Sequence, residues 1–143
     1  MPYKYESHSK QKTVLLIEDS PTQALETQSI LEKQDLNVIC AINGEMGLRL
    51  AYQVVPDVII LDVQMPGING FEVCERLKKD PETASIPVIM FTHQDTQEGF
   101  RHGIGAGACD YIPKDAFAIA VLQGTLHKMG IIRNNPFPHV TLI

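Results

Sequence analysis

Five polar residues whose side chains suit phosphate chemistry follow closely on apolar runs of the sequence. They are Glu18 and Asp19 after VLLI, Asp62 after VIIL, Thr92 after VIMF, and Lys114 shortly after DYI. An aspartate can accept a phosphoryl group as an aspartyl-phosphate. A hydroxyl and a lysine ammonium can stabilise phosphoryl oxygens, and neighbouring acids can hold a metal ion beside them. The set therefore indicates phosphoryl-group chemistry, provided that the fold brings its members together.

The three acids, Glu18, Asp19 and Asp62, indicate a metal ion. Carboxylates placed close together repel each other and raise each other's pKa values. A bound hard cation removes that repulsion, and oxygen ligands without a nearby set of cysteines or histidines favour Mg²⁺ or Mn²⁺. Mg²⁺ keeps several water ligands, so positions stay open for a phosphoryl oxygen. We therefore predict a magnesium or manganese site at these acids.

The apolar runs themselves predict strands, because most are rich in valine and isoleucine and apolar at every position. Strands buried on both faces have this pattern, which indicates a parallel sheet covered by helices. The predicted strands are 14–17, 38–42, 58–61, 88–91 and the neighbourhood of 111–112. The predicted helices are 21–34 after the cap Ser20, 44–55 after the cap Asn43, 70–79, 96–104 and 116–129. This order predicts an α/β fold, a (βα)₅ doubly wound five-stranded parallel sheet.

That topology gives the five polar residues a common location. The carboxyl ends of all parallel strands lie at one edge of the sheet, and ligands of doubly wound folds bind there, near the topological switch point. Residues far apart in the sequence are therefore expected to converge on one shallow pocket.

The composition is that of one ordinary globular domain. The chain has 143 residues, of which 44% are hydrophobic. The net charge of −5, from 17 acids against 12 bases, argues against nucleic acid as a direct partner. We expect residues 1–12 to form a flexible N-terminal tail, residues 13–132 the folded domain, and residues 133–143 a C-terminal tail without a helix.

The sequence also predicts a cytoplasmic protein without a membrane segment. The N-terminus MPYKYESHSKQK lacks the apolar core of a signal peptide, and no apolar run is long enough to span a bilayer. Cys40, Cys74 and Cys109 are odd in number, far apart and without a C-x-x-C pair. We therefore expect free thiols buried in apolar surroundings, as in a reducing compartment, rather than disulfides or a zinc site.

Four separated motifs contain the candidate residues and occur in a fixed order. They are LLIEDS, IILDVQMPGINGFEV, PVIMFT and GACDYIPK, within about residues 13–132. Together they resemble the receiver domains of bacterial two-component response regulators, including the chemotaxis-regulator-like ones. The resemblance implies the flavodoxin-like receiver fold, with Asp62 as the phosphoacceptor.

The same resemblance implies roles for the other site residues. Mg²⁺ would be bound by Asp19, Asp62 and the main-chain oxygen of Gln64, and Glu18 would act largely through a water molecule. Thr92 and Lys114 would hold the phosphoryl oxygens. Tyr111, three residues before the lysine, matches the aromatic residue that turns inward when the hydroxyl residue moves to the phosphate.

The implied function is signalling rather than enzymatic turnover, apart from the domain's own Mg²⁺-dependent phosphorylation and dephosphorylation. The phosphoryl donor would be a histidine kinase or a phosphotransfer protein. The output would be binding to a downstream protein, because we expect no output domain in the chain. Self-association into a homodimer is a second option. The alternative is a pseudo-receiver, which has the same fold and acts as a phosphorylation-independent adaptor. A phosphatase with an aspartyl nucleophile is disfavoured, because its D-x-D motif would need an acid at Gln64.

Three positions depart from the usual receiver pattern. Glu18 replaces the more frequent aspartate, and His93 stands where a small residue is usual. A bulky ring at His93 is expected to narrow access to the phosphate. Asp115 follows Lys114 where many receivers have a proline joined by a cis bond. A cis bond before a residue other than proline would cost about 3 kcal/mol, so the geometry of this loop is the least predictable part of the site.

Overall fold

Five strands alternate with five helices in the computed structural model, which describes residues 11–138. The strands are β1 (Thr13–Ile17), β2 (Asn37–Ala41), β3 (Val58–Leu61), β4 (Val88–Thr92) and β5 (Asp110–Pro113). The helices are α1 (Pro21–Glu32), α2 (Gly44–Val54), α3 (Gly70–Lys79), α4 (Gln97–Gly105) and α5 (Ala118–Lys128). The predicted elements differ from these only by one or two residues at their ends.

The strands form one sheet in the order β2-β1-β3-β4-β5, and every neighbouring pair is parallel. The predicted doubly wound α/β fold is therefore confirmed. The chain reverses its direction of travel across the sheet after β2, so the switch point lies between β1 and β3. In the register of this pair, Ile17 is opposite Leu61, and the residues after both strands begin side by side.

Alternate residues of the central strands face two separate cores. Leu15, Ile17, Ile59 and Leu61 pack with residues of α2 and α3 on one face of the sheet. Val14, Leu16, Val58 and Ile60 pack with residues of α1 and α5 on the other face. All four residues of β3 are fully buried, which explains why the sequence is apolar at every position there. The residue that follows β3 is thus held by a strand packed on both sides.

Side-chain caps begin four of the five helices. Ser20, Asn43, Asn69 and Thr96 each accept a hydrogen bond from the backbone N–H three residues later. Such a bond satisfies one of the N–H groups that the first helical turn leaves without a partner. The predicted caps Ser20 and Asn43 therefore fix the starts of α1 and α2.

The expectation of three buried thiols is wrong for one cysteine. Cys74 is buried and Cys40 is half-buried, but Cys109 is exposed. Around Cys109 burial alternates, with Ala106 and Ala108 inside and Gly107 and Cys109 outside. All three cysteines are free, and burial raises the pKa of the Cys74 thiol to about 11.

The predicted tails lie largely outside the described residues, so the domain boundaries stay a prediction. Across residues 11–138, no helix is both long and apolar enough to cross a membrane.

Gly70 allows α3 to begin directly against the loop that follows β3. Its N–H donates to Val63 O at 2.8 Å. A Cβ atom at this position would lie 2.3 Å from Asp62 O and 2.8 Å from Val63 Cα, and neither backbone atom can move away cheaply. The backbone around Asp62 therefore depends on the absence of a side chain at Gly70.

We expect Gly70→Ala to lower the free energy of unfolding by about 1–3 kcal/mol, the usual cost of overpacking. Urea denaturation followed by far-UV circular dichroism measures it. Gly105→Ala is the matched control, because a Cβ atom there meets nothing within 4 Å. Alanine in that helix should stabilise the protein by about 0.5–1 kcal/mol. Equal effects of the two substitutions would contradict this interpretation of Gly70.

Candidate functional site

The carboxylates of Glu18, Asp19 and Asp62 form a cluster at the carboxyl ends of β1 and β3. Each offers an oxygen that lies within 4.8 Å of the others. Backbone hydrogen bonds hold the cluster in register, with Glu18 N donating to Ala41 O at 3.0 Å and Asp62 N donating to Ile17 O at 3.1 Å. Glu18 and Asp62 are only 5% and 7% exposed, so little water screens their repulsion.

Lys114 supplies positive charge to this cluster from the end of β5. Its Nζ lies 2.5 Å from Glu18 Oε1 and 3.3 Å from Asp62 Oδ2, and its side chain is 9% exposed. The Lys114 backbone N–H donates to Thr92 O at 2.7 Å, which ties the loop after β5 to the end of β4. The ammonium also lies 5.4 Å from the centre of the Phe91 ring. A buried lysine thus compensates two buried acids.

Thr92 is the last residue of β4, and Gln64 lies on the loop after β3. Thr92 is fully buried at the end of β4, and its hydroxyl accepts a hydrogen bond from Gln94 N at 3.2 Å. Gln64 follows Asp62 by two residues, and its N–H donates to Asp62 Oδ1 at 3.3 Å. The Gln64 contact thus holds one carboxylate oxygen of Asp62, and Lys114 contacts the other.

Tyr111 is buried and bonded to the loop after β4. Its hydroxyl donates to Gln94 O at 2.7 Å. Its ring fills the space left by two glycines of α4, since a Cβ at Gly99 would lie 2.6 Å from the Tyr111 hydroxyl and one at Gly103 2.7 Å from the ring. Burial raises the pKa of Tyr111, and the nearby negative charges of Asp62 and Asp95 raise it further.

Two of the positions that depart from the receiver pattern lie next to Lys114 and at the rim of a groove. The Lys114–Asp115 peptide bond is trans, as are all peptide bonds in residues 11–138. His93 is exposed and lines a groove of about 460 Å³ between α1 and α5, together with Lys114, Asp115 and Gln23. The groove leads from the protein surface to the lysine.

Sequence reasoning missed one residue of the site. The side-chain oxygen of Gln23 accepts a hydrogen bond from Lys114 Nζ at 2.7 Å. The sequence signal at this residue is the spacing of Ser20 and Gln23, which is that of a helix capping box. It points to a local backbone contact rather than to a lysine 91 residues away in the sequence.

The donor set fits the predicted hard cation. It consists of carboxylate oxygens alone, with no thiol or imidazole among the clustered residues, and such donors suit Mg²⁺ or Mn²⁺. Asp19 is only half-buried, so water and a phosphoryl oxygen can complete a coordination shell from its side.

The family profile and the similar proteins that match this chain agree on one family. The sequence profile of the response regulator receiver domain matches residues 14–126. Protein PilH of Pseudomonas aeruginosa is 43% identical over 101 residues, which are 71% of this chain and 84% of PilH. The transcriptional regulator RpaA of Synechocystis is 39% identical over 101 residues, but the matched part is only 42% of RpaA.

Solved structures with similar folds come from the same kind of protein. A putative response regulator from Chloroflexus aurantiacus has a TM-score of 0.79 and 32% identity, covering 84% of this chain and 98% of that one. The chemotaxis protein CheY4 of Vibrio cholerae has a TM-score of 0.76 and 28% identity, covering 82% and 98%.

The raised pKa of Tyr111 predicts how stability changes at high pH. The unfolded chain releases this proton near the ordinary tyrosine value of about 10, before the folded chain does. The contribution to stability is therefore complete below that pH and is lost as the pH rises through the folded pKa. We expect the stability difference between the unchanged protein and Tyr111→Phe to stay constant up to about pH 9 and to narrow as the pH rises above about 10, as urea denaturation can measure.

The control for this prediction is Tyr52→Phe, because Tyr52 is 56% exposed. At neutral pH, Tyr111→Phe should also cost about 1 kcal/mol from the lost hydrogen bond to Gln94. Equal pH dependence in both variants would contradict the assignment to Tyr111.

Proposed function

Because this chain belongs to the family of response regulator receiver domains, we propose that it signals by accepting a phosphoryl group on Asp62. The donor is a phosphohistidine on a histidine kinase or a phosphotransfer protein. An oxygen of Asp62 forms a bond to phosphorus while the phosphorus–nitrogen bond breaks, and the electron pair stays on the imidazole nitrogen. The single observation that carries the proposal is the contact of Lys114 with Asp62 inside the acid cluster.

The residues around Asp62 have separate tasks in this reaction. Gln64 N–H fixes one carboxylate oxygen, and Lys114 lies near the other. After transfer, the Lys114 ammonium and the Thr92 hydroxyl bind phosphoryl oxygens and stabilise their charge. Asp19, Asp62 and the main-chain oxygen of Gln64 would hold Mg²⁺, with Glu18 reaching it through water. When bound, the cation neutralises charge between the carboxylate and the incoming phosphoryl group.

The hydrogen bonds around Gln94 supply a route from the phosphate to α4. Gln94 N donates to the Thr92 hydroxyl, and Gln94 O accepts from the Tyr111 hydroxyl. When the Thr92 hydroxyl turns to a phosphoryl oxygen, its hydrogen bond with Gln94 N–H breaks. The loop after β4, whose Gln94 carbonyl binds the Tyr111 hydroxyl, then loses one of its contacts. This shifts the equilibrium between two arrangements of the Tyr111 ring and α4.

The readout is protein binding by the surface of α4, β5 and α5. Large apolar side chains are exposed on these helices and at the N-cap of α5, namely Phe100, Ile104, Phe117 and Val121. Apolar residues on a surface that moves with the switch suit a downstream protein or a second copy of this chain. The three free cysteines agree with a cytoplasmic location, where thiols stay reduced.

A phosphorylation-independent adaptor is the alternative, favoured by the departures at His93 and Asp115. An adaptor would have no use for two buried carboxylates that must be compensated by a buried lysine. Such a cluster lowers stability unless every charge is paired. Its retention supports the phosphoacceptor function.

We expect Asp62→Asn to abolish phosphoryl uptake from acetyl phosphate and Mg²⁺, because the amide cannot form the acyl phosphate. Intact-mass spectrometry measures the uptake, and EDTA should prevent it in the unchanged protein. Asp115→Asn is the matched control: Asp115 is exposed next to Lys114, and its Oδ1 accepts from Phe117 N–H, a bond that asparagine keeps. Normal uptake by Asp62→Asn would contradict the proposed acceptor, and no uptake by the unchanged protein would favour the adaptor.

A further inference from the structure

Lys114 has three hydrogen-bond partners, and one of them is not an acid. Its ammonium group carries three N–H donors. They reach Glu18 Oε1 at 2.5 Å, Gln23 Oε1 at 2.7 Å and Asp62 Oδ2 at 3.3 Å. The longest and weakest contact is thus the one to the proposed phosphoacceptor, and the neutral amide of Gln23 takes one of the two shorter ones.

The Gln23 amide can bind Lys114 because Glu18, rather than Gln23, accepts the hydrogen bond from the N–H of the cap residue of α1. Ser20 caps the helix, and its hydroxyl accepts from Gln23 N–H at 3.3 Å. In a capping box, the glutamine at this position would accept a hydrogen bond from the N–H of the cap residue. Here Ser20 N–H donates instead to Glu18 Oε2 at 3.2 Å. The longer glutamate side chain therefore binds both Ser20 N–H and Lys114, and Gln23 turns to the lysine.

We propose that Gln23 is a positioning residue that keeps the contact of Lys114 with Asp62 at its length of 3.3 Å, so that the ammonium competes less with Mg²⁺ and the phosphoryl donor for Asp62. The proposal rests on the proposed function of Asp62. A lysine ammonium in direct contact with a buried carboxylate competes with a metal ion for the same oxygens. By taking one N–H of Lys114, Gln23 reduces that competition without adding a negative charge to the cluster.

The chemistry of the amide explains why a neutral acceptor serves here. A carboxylate at position 23 would add a fourth acid and bind the ammonium as a second ion pair. An apolar side chain would leave one N–H of a nearly buried ammonium without an acceptor, and the ammonium would then approach Asp62 more closely. The amide accepts a hydrogen bond from Lys114 more weakly than a carboxylate would and, unlike an apolar side chain, leaves no N–H without an acceptor. Lys114 can therefore exchange partners when a phosphoryl group arrives on Asp62.

The test replaces Gln23 with methionine, which has the same length and a similar helix propensity. Isothermal titration with Mg²⁺ should show affinity reduced by roughly threefold to tenfold, because one hydrogen bond to a charged group is redirected to Asp62. Phosphorylation by acetyl phosphate should need more Mg²⁺ for its half-maximal rate, whereas the rate at saturating Mg²⁺ should stay close to that of the unchanged protein.

Two controls separate this role from a general effect on α1. Gln28→Met changes the same kind of side chain further along α1, where the amide donates to Glu32 and accepts from Cys40, and it should leave Mg²⁺ affinity unchanged. In a Lys114→Met background, Gln23→Met should also leave Mg²⁺ affinity unchanged, because the lysine that it positions is absent.

The outcomes distinguish this proposal from the proposed function. If the unchanged protein binds Mg²⁺ and takes up phosphate, but Gln23→Met binds Mg²⁺ equally well, the positioning role is overturned and the phosphoacceptor function stands. Weaker Mg²⁺ binding by Gln23→Met in the Lys114→Met background also overturns it, since the effect would not act through the lysine. An unchanged protein that binds no Mg²⁺ overturns both proposals.

Discussion

Two buried carboxylates that lie side by side need a compensating positive charge, and much of the site is arranged to supply it. Glu18 and Asp62 directly follow adjacent strands, and neither is more than 7% exposed. Their repulsion cannot be relieved by solvent, and Lys114 reaches both from the end of β5. The parallel sheet makes this meeting possible because all strand ends lie at one edge. The close approach of Gly70 to the backbone of Asp62 then fixes the acid on its other side.

In the proposed function, the same constraint links Asp62 to Tyr111 and α4. Lys114 is bonded through its backbone to Thr92, and Thr92 is bonded through its hydroxyl to Gln94. Gln94 in turn holds the hydroxyl of Tyr111, whose ring lies against the glycines of α4. A change of charge at Asp62 therefore has a short series of contacts through which to act. Each contact is a single hydrogen bond of modest net free energy, which suits a switch between two nearly equal states.

The sequence predicted the features that follow from the pattern of apolar residues and from the topology of a parallel sheet. Apolar runs with polar residues directly after them indicated parallel strands, and the parallel arrangement implied that Asp19, Asp62 and Lys114 would meet. The caps Ser20 and Asn43 were predictable because capping is a local property of the chain. The exposure of Cys109 was not predictable. Apolar neighbours alone do not distinguish a segment in which buried and exposed residues alternate from one that is buried throughout. The role of Gln23 depends on a three-way exchange of partners among Glu18, Ser20 and Lys114, which only the folded geometry defines.

The most direct test of the account locates the phosphoryl group itself. The protein is treated with acetyl phosphate and Mg²⁺, reduced with borohydride, digested and sequenced by tandem mass spectrometry. Reduction converts an aspartyl-phosphate into homoserine, so we predict homoserine at position 62 and unmodified acids at positions 18 and 19. Reduction at either of those acids, or phosphate that survives as an ester on a hydroxyl residue, would contradict it.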